Sequence, residues 1–228
     1  MPRPKSKKAI AAGLMRLYQN LFEHFGHRNW WPAPTPFEVC VGAILTQNTA
    51  WTNVERAIAN LKTADALSLE GILALELADL AELIRPSGYF NQKAKRLADF
   101  CRFIRDEFGG SIEKLFEVET GRLREMLLAQ KGIGPETADS MMCYGGNKSV
   151  FVVDAYTIRA IVRIGYLPEG VDYATTQKLF VDHLPRDVAL YNDFHAQFVA
   201  LGANICKKTN PLCKSCPVRE CDFGRSNR

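Results

Sequence analysis

Apolar residues recur along this chain at intervals of three and four, the spacing that lines one face of an α-helix. Ile10, Leu14, Leu17, Leu21 and Phe25 mark the first such run, over residues 9–25. A break follows at GHRNWWPAPTP, with three prolines in five residues. Residues 37–46 resume as an apolar helix, and Thr52 with Glu55 matches a capping box that opens the next one. Further helical runs are predicted over 69–75, 78–84, 91–108 and 120–129, divided by turns such as RPSGY and FGGS. Residues 136–143 and 155–164 read as helical too, with YGGNKSVFVVD between them, and the last helices fall near 173–184 and 189–204. SVFVV has the composition of a strand, but one strand alone has no partner. The predicted fold class is all-α, without internal repeats or a low-complexity linker.

The 228 residues, 47% of them hydrophobic, suffice for one large domain or two small ones with a real core. No segment approaches the ~20 apolar residues that span a membrane. The opening MPRPKSKK is basic but lacks the apolar run and small-residue cleavage site of a secretory signal, so a cytoplasmic protein is expected. The net charge of +4 is unevenly spread. Residues 1–8, with Arg3, Lys5, Lys7 and Lys8, carry a net +4, and residues 206–228 carry another +4, which leaves −4 in between. Local basic patches of this kind suit a nucleic-acid partner, although basic ends also aid solubility.

Seven cysteines, an odd number, argue against a disulfide framework. Cys40, Cys101 and Cys143 fall in apolar helical patterns and read as core. The other four form Cys206-x6-Cys213-x2-Cys216-x4-Cys221, a spacing that binds a metal or a cluster. Zinc knuckles usually pair two short Cys-x2–4-Cys units, so the six-residue first gap favours iron–sulfur over zinc. Lys207, Lys208 and Lys214 lie between the ligands, where they either contact phosphate or keep the loop soluble. A second motif, Lys131-Gly-Ile-Gly-Pro-Glu136, sits between two helical runs. Gly132 and Gly134 permit a tight hairpin, Pro135 suits a first helical position, and the hairpin amides would suit a phosphate. Third, the apolar run Val150–Val153 ends in Asp154 just before a helix, where an Asp serves as an N-cap and can serve chemistry as well.

These motifs together resemble the helix-hairpin-helix, Gly/Pro-loop, Asp signature of the endonuclease III superfamily of DNA glycosylases. Ile44-Leu-Thr-Gln47-Asn-Thr resembles the segment whose Gln enters the duplex beside the extruded nucleotide. Gly88-Tyr-Phe-Asn-Gln-Lys-Ala94 resembles the second intercalating loop, with Tyr89 as the wedge. The four cysteines resemble the family's [4Fe–4S] loop, except that the last gap is four residues where five is common. The resemblance runs from about residue 37 to 221 and implies that Asp154 is the essential carboxylate. Members that cleave the strand carry a lysine where Glu136 stands; Lys131 does not align with it. A carboxylate cannot form the Schiff base with the sugar, so the resemblance implies a monofunctional enzyme. Glu136 then either lines the pocket or is a favourable acid at a helix start.

A flipped-out base needs aromatic faces. Trp30, Trp31 and Trp51 all lie near the proposed site in sequence. Trp-Trp-Pro together with Gly-Ile-Gly-x-Glu is similar to the 3-methyladenine branch of the superfamily, whose substrates are cationic purines that indole faces can select. The expected architecture is two helical domains flanking a DNA-binding groove. One spans 37–148 and ends in the hairpin; the other joins 1–36 to 149–228 and holds the cluster. The expected partner is double-stranded DNA containing a damaged base, bound by a monomer. Rival readings are a glycosylase for mismatched adenine or a deaminated base, and a non-catalytic iron–sulfur DNA-binding protein.

Overall fold

The computed structural model describes residues 6–227, so Arg3 and Lys5 of the basic N-terminus lie outside the described residues. These fold as α-helices with short 3₁₀ and π turns and no β-strand among them. Among the described residues no helix is long and apolar enough to cross a membrane. The described residues divide into two compact units: the chain up to Trp30 together with the chain from Ser149 onward, and Trp31–Lys148.

In the first unit α1 (Lys7–Phe25) joins α10 (Ala155–Ile164), α11 (Tyr173–His183), α12 (Val188–Asn204) and the short α13 (Asp222–Ser226). Leu14, Leu17 and Leu21 of α1 meet Phe180, Tyr191, Phe194 and Phe198 in one core. Phe151 stacks on Phe180 at 3.9 Å and 7° in its centre. The run Val150–Val153 is therefore extended and buried without being a strand. Its backbone groups find side chains instead of a ladder: Gln177 donates to the Phe151 carbonyl at 2.7 Å, and the Val153 amide donates to the Tyr173 hydroxyl at 3.3 Å.

The second unit runs α2 (Pro36–Leu45), α3 (Trp51–Thr63), α4 (Leu69–Ala74), α5 (Leu77–Leu83), a 3₁₀ turn (Arg85–Ser87), α6 (Phe90–Phe108), α7 (Ile112–Glu117), α8 (Thr120–Leu128), α9 (Pro135–Ser140) and a π turn (Met141–Gly145). Helix α2 is buried from Glu38 to Leu45, as its all-round apolar sequence requires, and Lys62 neutralises Glu38 at 2.8 Å. The expected capping box at Thr52 and Glu55 does not form. Helix α3 starts at Trp51 with Ala50 as its cap, and the Glu55 carboxylate instead accepts the Trp51 indole N–H at 2.9 Å. Across the hairpin, Arg124 of α8 makes two hydrogen bonds, of 2.7 and 3.1 Å, to the fully buried Asp139 of α9.

Candidate active site and nucleic-acid interface

Asp154 closes the buried run and caps α10. Its Oδ1 accepts the Thr157 amide at 2.6 Å and the Thr157 hydroxyl at 2.7 Å. Its Oδ2 lies 3.7 Å from Nε2 of His195 on α12. Burial acts to raise the Asp154 pKa, but the His195 imidazole and the Thr157 donors outweigh it, and the carboxyl titrates below its ordinary range. The site thus holds an ionised carboxylate at a position only 9% exposed.

Sequence reasoning missed His195. The available signal was polar residues in an apolar helix: Asp193, His195 and Gln197 are all buried within α12. Buried polar groups need partners, and here the partners are functional or structural. Asp193 accepts from the Tyr18 hydroxyl at 3.0 Å, the Arg28 amide at 2.9 Å and Gln197 at 3.0 Å, while Gln197 also reaches the Gly26 carbonyl at 2.8 Å. Burial and the adjacent Asp193 push the Tyr18 phenol up to about 12. This hub fixes the chain that leads to the half-buried Trp30.

In the second unit the half-buried Trp31 meets Trp51 edge-on, with ring centroids 5.0 Å apart, and Tyr144 at 5.3 Å. Gly42 of α2 makes room for this group, since a Cβ there would stand 3.2 Å from the Trp31 indole. Tyr144, on the π turn, was not anticipated from sequence. Glu136 is exposed in the first turn of α9.

Four of the expected DNA contacts, Gln47, Tyr89, Gly132 and Gly134, fall on three loops of this unit. Gln47 donates to the Gly132 carbonyl at 3.0 Å and the Thr137 hydroxyl at 2.9 Å, and its own carbonyl accepts from Arg96. Gly132 has φ +86°, and Arg96 covers the space where a side chain would be. Gly134 has φ −91° and open surroundings, so the conformation of the turn itself calls for glycine only at Gly132. Tyr89 is 66% exposed and left-handed at φ +46°, a conformation that costs a non-glycine residue roughly 1 kcal/mol. An exposed aromatic held this way is a candidate for contact with a partner.

Cys206, Cys213, Cys216 and Cys221 line one small pocket with Arg163, Ile205, Val218 and Phe223. Among the described residues no three His, Cys, Asp or Glu side chains converge as a single-ion site would require. The thiols are nevertheless held by polar contacts: Arg163 donates to Cys206 Sγ at 3.3 Å, and the Gly224 amide donates to Cys221 Sγ at 3.3 Å. Burial and the other three thiols raise the pKa of Cys216. Arg159 and Arg163 bond the carbonyls of Gly202, Cys206, Lys207 and Lys208, so the helix that Asp154 caps also anchors this loop. Lys207, Lys208 and Lys214 are exposed on it. Cys40, Cys101 and Cys143 are buried, and burial pushes Cys101 and Cys143 up to about 12.

A family profile described as HhH-GPD superfamily base excision DNA repair protein matches residues 41–186. A Methanocaldococcus jannaschii protein, MJ1434, assigned provisionally as a DNA repair glycosylase, is 44% identical over 208 residues, which is 91% of this chain and 94% of its own. The crystal structure of H. pylori 3-methyladenine DNA glycosylase (MagIII) bound to 1,N6-ethenoadenine is 35% identical, with a TM-score of 0.71 and coverage of 86% of this chain and 96% of that one. A trapped endonuclease III–DNA covalent intermediate shares the fold at 20% identity, with a TM-score of 0.83 and coverage of 95% and 98%.

Proposed function

The chain belongs to the HhH-GPD superfamily of base excision DNA repair proteins and is a DNA glycosylase; from that premise we propose that it is monofunctional and hydrolyses the N-glycosidic bond of a flipped-out alkylated purine such as 3-methyladenine. The observation that carries this reading is Asp154, ionised, buried and fixed by Thr157 and His195. As the C1′–N bond breaks, its electron pair leaves with the base and positive charge develops on the sugar. A fixed carboxylate beside C1′ stabilises that charge more than it stabilises the substrate. Water then adds to C1′ and gives up its proton to solvent or to the carboxylate. An N-alkylated purine leaves as a neutral base, so no strong general acid is required.

Selection of the base is assigned to Trp30 and to the group of Trp31, Trp51 and Tyr144, whose faces suit a cationic ring. The identity to MagIII supports the same substrate class. Glu136 stands where strand-cleaving relatives would need a lysine, which supports release of the base without Schiff-base chemistry. Gln47 and Tyr89 are assigned to the duplex interior. The hairpin at Gly132 and Gly134, with Lys207, Lys208 and Lys214, is assigned to phosphates.

Cys206, Cys213, Cys216 and Cys221 would hold a [4Fe–4S] cluster. One pocket lined by all four and N–H groups aimed at two of the sulfurs fit that group, and the six-residue first gap between the cysteines favours it over zinc. When bound, the cluster supplies a rigid pin for the lysine-bearing loop.

The test is a panel of duplexes carrying 3-methyladenine, 7-methylguanine, hypoxanthine, uracil or mismatched adenine. Release of the alkylpurines with an intact strand is expected. Release of mismatched adenine or uracil alone would overturn the substrate class, and a borohydride-trapped adduct would overturn the monofunctional assignment.

A further inference from the structure

Lys93 of α6 is 1% exposed, although its side chain ends in an ammonium. Its Nζ donates to the carbonyls of Leu45 and Ser87, each at 2.7 Å. Leu45 is the last residue of α2, two positions before Gln47. Ser87 ends the 3₁₀ turn, two positions before Tyr89. A single cation therefore bonds the backbone at the root of both loops assigned above to the duplex interior.

The physics favours a cation there. The last turn of a helix leaves carbonyls without intrahelical partners and carries the negative end of the helix dipole. Leu45 presents such a carbonyl inside the protein, where water cannot serve it. An apolar side chain at 93 would fill the space but would leave two buried carbonyls unbonded. The grip on Tyr89 is two-sided. The Lys93 backbone amide also donates to the Tyr89 carbonyl at 3.0 Å, while its Nζ holds Ser87 on the other side. Between these anchors Gly88 and Tyr89 take consecutive positive φ values, +68° and +46°, and the ring emerges into solvent. One turn further along α6, Arg96 holds the Gln47 side chain and lies over Gly132.

We propose that Lys93 is a positioning residue that sets the Gln47 loop and the Tyr89 loop together, in the mutual register in which they enter DNA. The role rests on the reading that these two side chains penetrate the duplex. Lys93 itself touches no substrate. Burial and the charge of Arg96 bring its pKa down to about 8; the two carbonyls act in the opposite sense, favouring the ammonium.

The test uses the full chain. In Lys93→Met, amide hydrogen exchange of the free protein should quicken on the order of tenfold in both segments, 46–49 and 88–90, with the α9 hairpin unchanged. On duplex with 2-aminopurine beside an abasic analogue, the same variant should lose most of the unstacking signal at saturating protein. Its affinity for undamaged duplex should stay within about twofold, because phosphate contacts dominate there. Loosening of one loop only, or of neither, overturns the proposal. If both loops loosen and the unstacking signal survives, Lys93 still sets the loops, and what falls is the reading that Gln47 and Tyr89 enter DNA. A measurement on the wild type keeps the test open should the variant not fold. Scalar couplings across the hydrogen bonds should link Lys93 Nζ to the carbonyl carbons of both Leu45 and Ser87. Coupling to only one of them overturns the bridge.

Discussion

Nε2 of His195 lies 3.7 Å from Oδ2 of Asp154, while Thr157 ties down Oδ1 from the other side. The two residues are 41 positions apart and meet because α10 and α12 pack together. Burial alone would raise the pKa of this carboxyl; His195 heads the forces that lower it below 3.8. A carboxyl with a depressed folded pKa contributes stability above the unfolded pKa and loses it as pH falls through the folded value. The acid limb of base release due to Asp154 should therefore lie below the ordinary carboxylate range. In His195→Gln the desolvation effect is no longer offset by the imidazole, so the limb should move to higher pH. Single-turnover base release across pH measures this, and an unmoved limb would remove His195 from the control of Asp154.

Asp154→Asn separates the two jobs of that side chain. Asn is as good an N-cap as Asp, so α10 should keep its start and the helical circular dichroism of the folded protein should be unchanged. The charge at C1′ is gone, and base release should fall at least ~100-fold, the scale on which one electrostatic stabiliser acts. Affinity for lesion-bearing duplex should survive. Undiminished turnover by the variant would show that the reaction runs without this carboxylate.

The aromatic group makes a prediction about charge. Cation–π contact contributes about 1–2 kcal/mol when desolvated, so Trp31→Leu should lower kcat/KM for a cationic 3-methyladenine lesion roughly tenfold or more. Hypoxanthine, which is neutral, should suffer less. Gly42→Ala should act in the same direction more weakly, because its methyl would crowd the Trp31 ring from 3.2 Å. Equal losses for the cationic and neutral lesions would indicate that Trp31 serves packing alone.

Much of this was readable from the residues. Helical periodicity located most of the helices because each buries one stripe, and α2 stood out because it is apolar all round. Asp154 as an N-cap was legible because the cue is local, an Asp directly after an apolar run. The misreading came where a local cue met a tertiary competitor. Glu55 fits a capping box in sequence, yet the Trp51 indole claims its carboxylate. Tyr144 left no motif at all, and His195 left only a polar position within an apolar helix. A π turn is one extra residue in a helix, which sequence spacing does not announce, and a buried histidine takes its meaning from whatever packs opposite it.

The cysteine loop supplies the last prediction, through a residue that is not a ligand. The Arg163 guanidinium lies 4.4 Å over the Phe223 ring and bonds Cys206 Sγ together with the carbonyls of Lys207 and Lys208. Arg163→Leu keeps the ring contact but strips the donors from the sulfur and from both carbonyls. A thiolate that loses an N–H partner holds its iron less firmly, and partners of this kind typically account for 10- to 100-fold in metal affinity. The variant should purify with less iron per chain than wild type by elemental analysis and lose what remains faster to a chelator. Its duplex affinity should fall with the iron, since Lys207 and Lys208 flank the freed carbonyls. Arg163→Lys, which restores one donor but neither the planar stack nor the second bond, should recover only part of the iron. Zinc without iron in the wild type would overturn the cluster assignment, and an iron content unchanged in Arg163→Leu would show that the four cysteines alone set its retention.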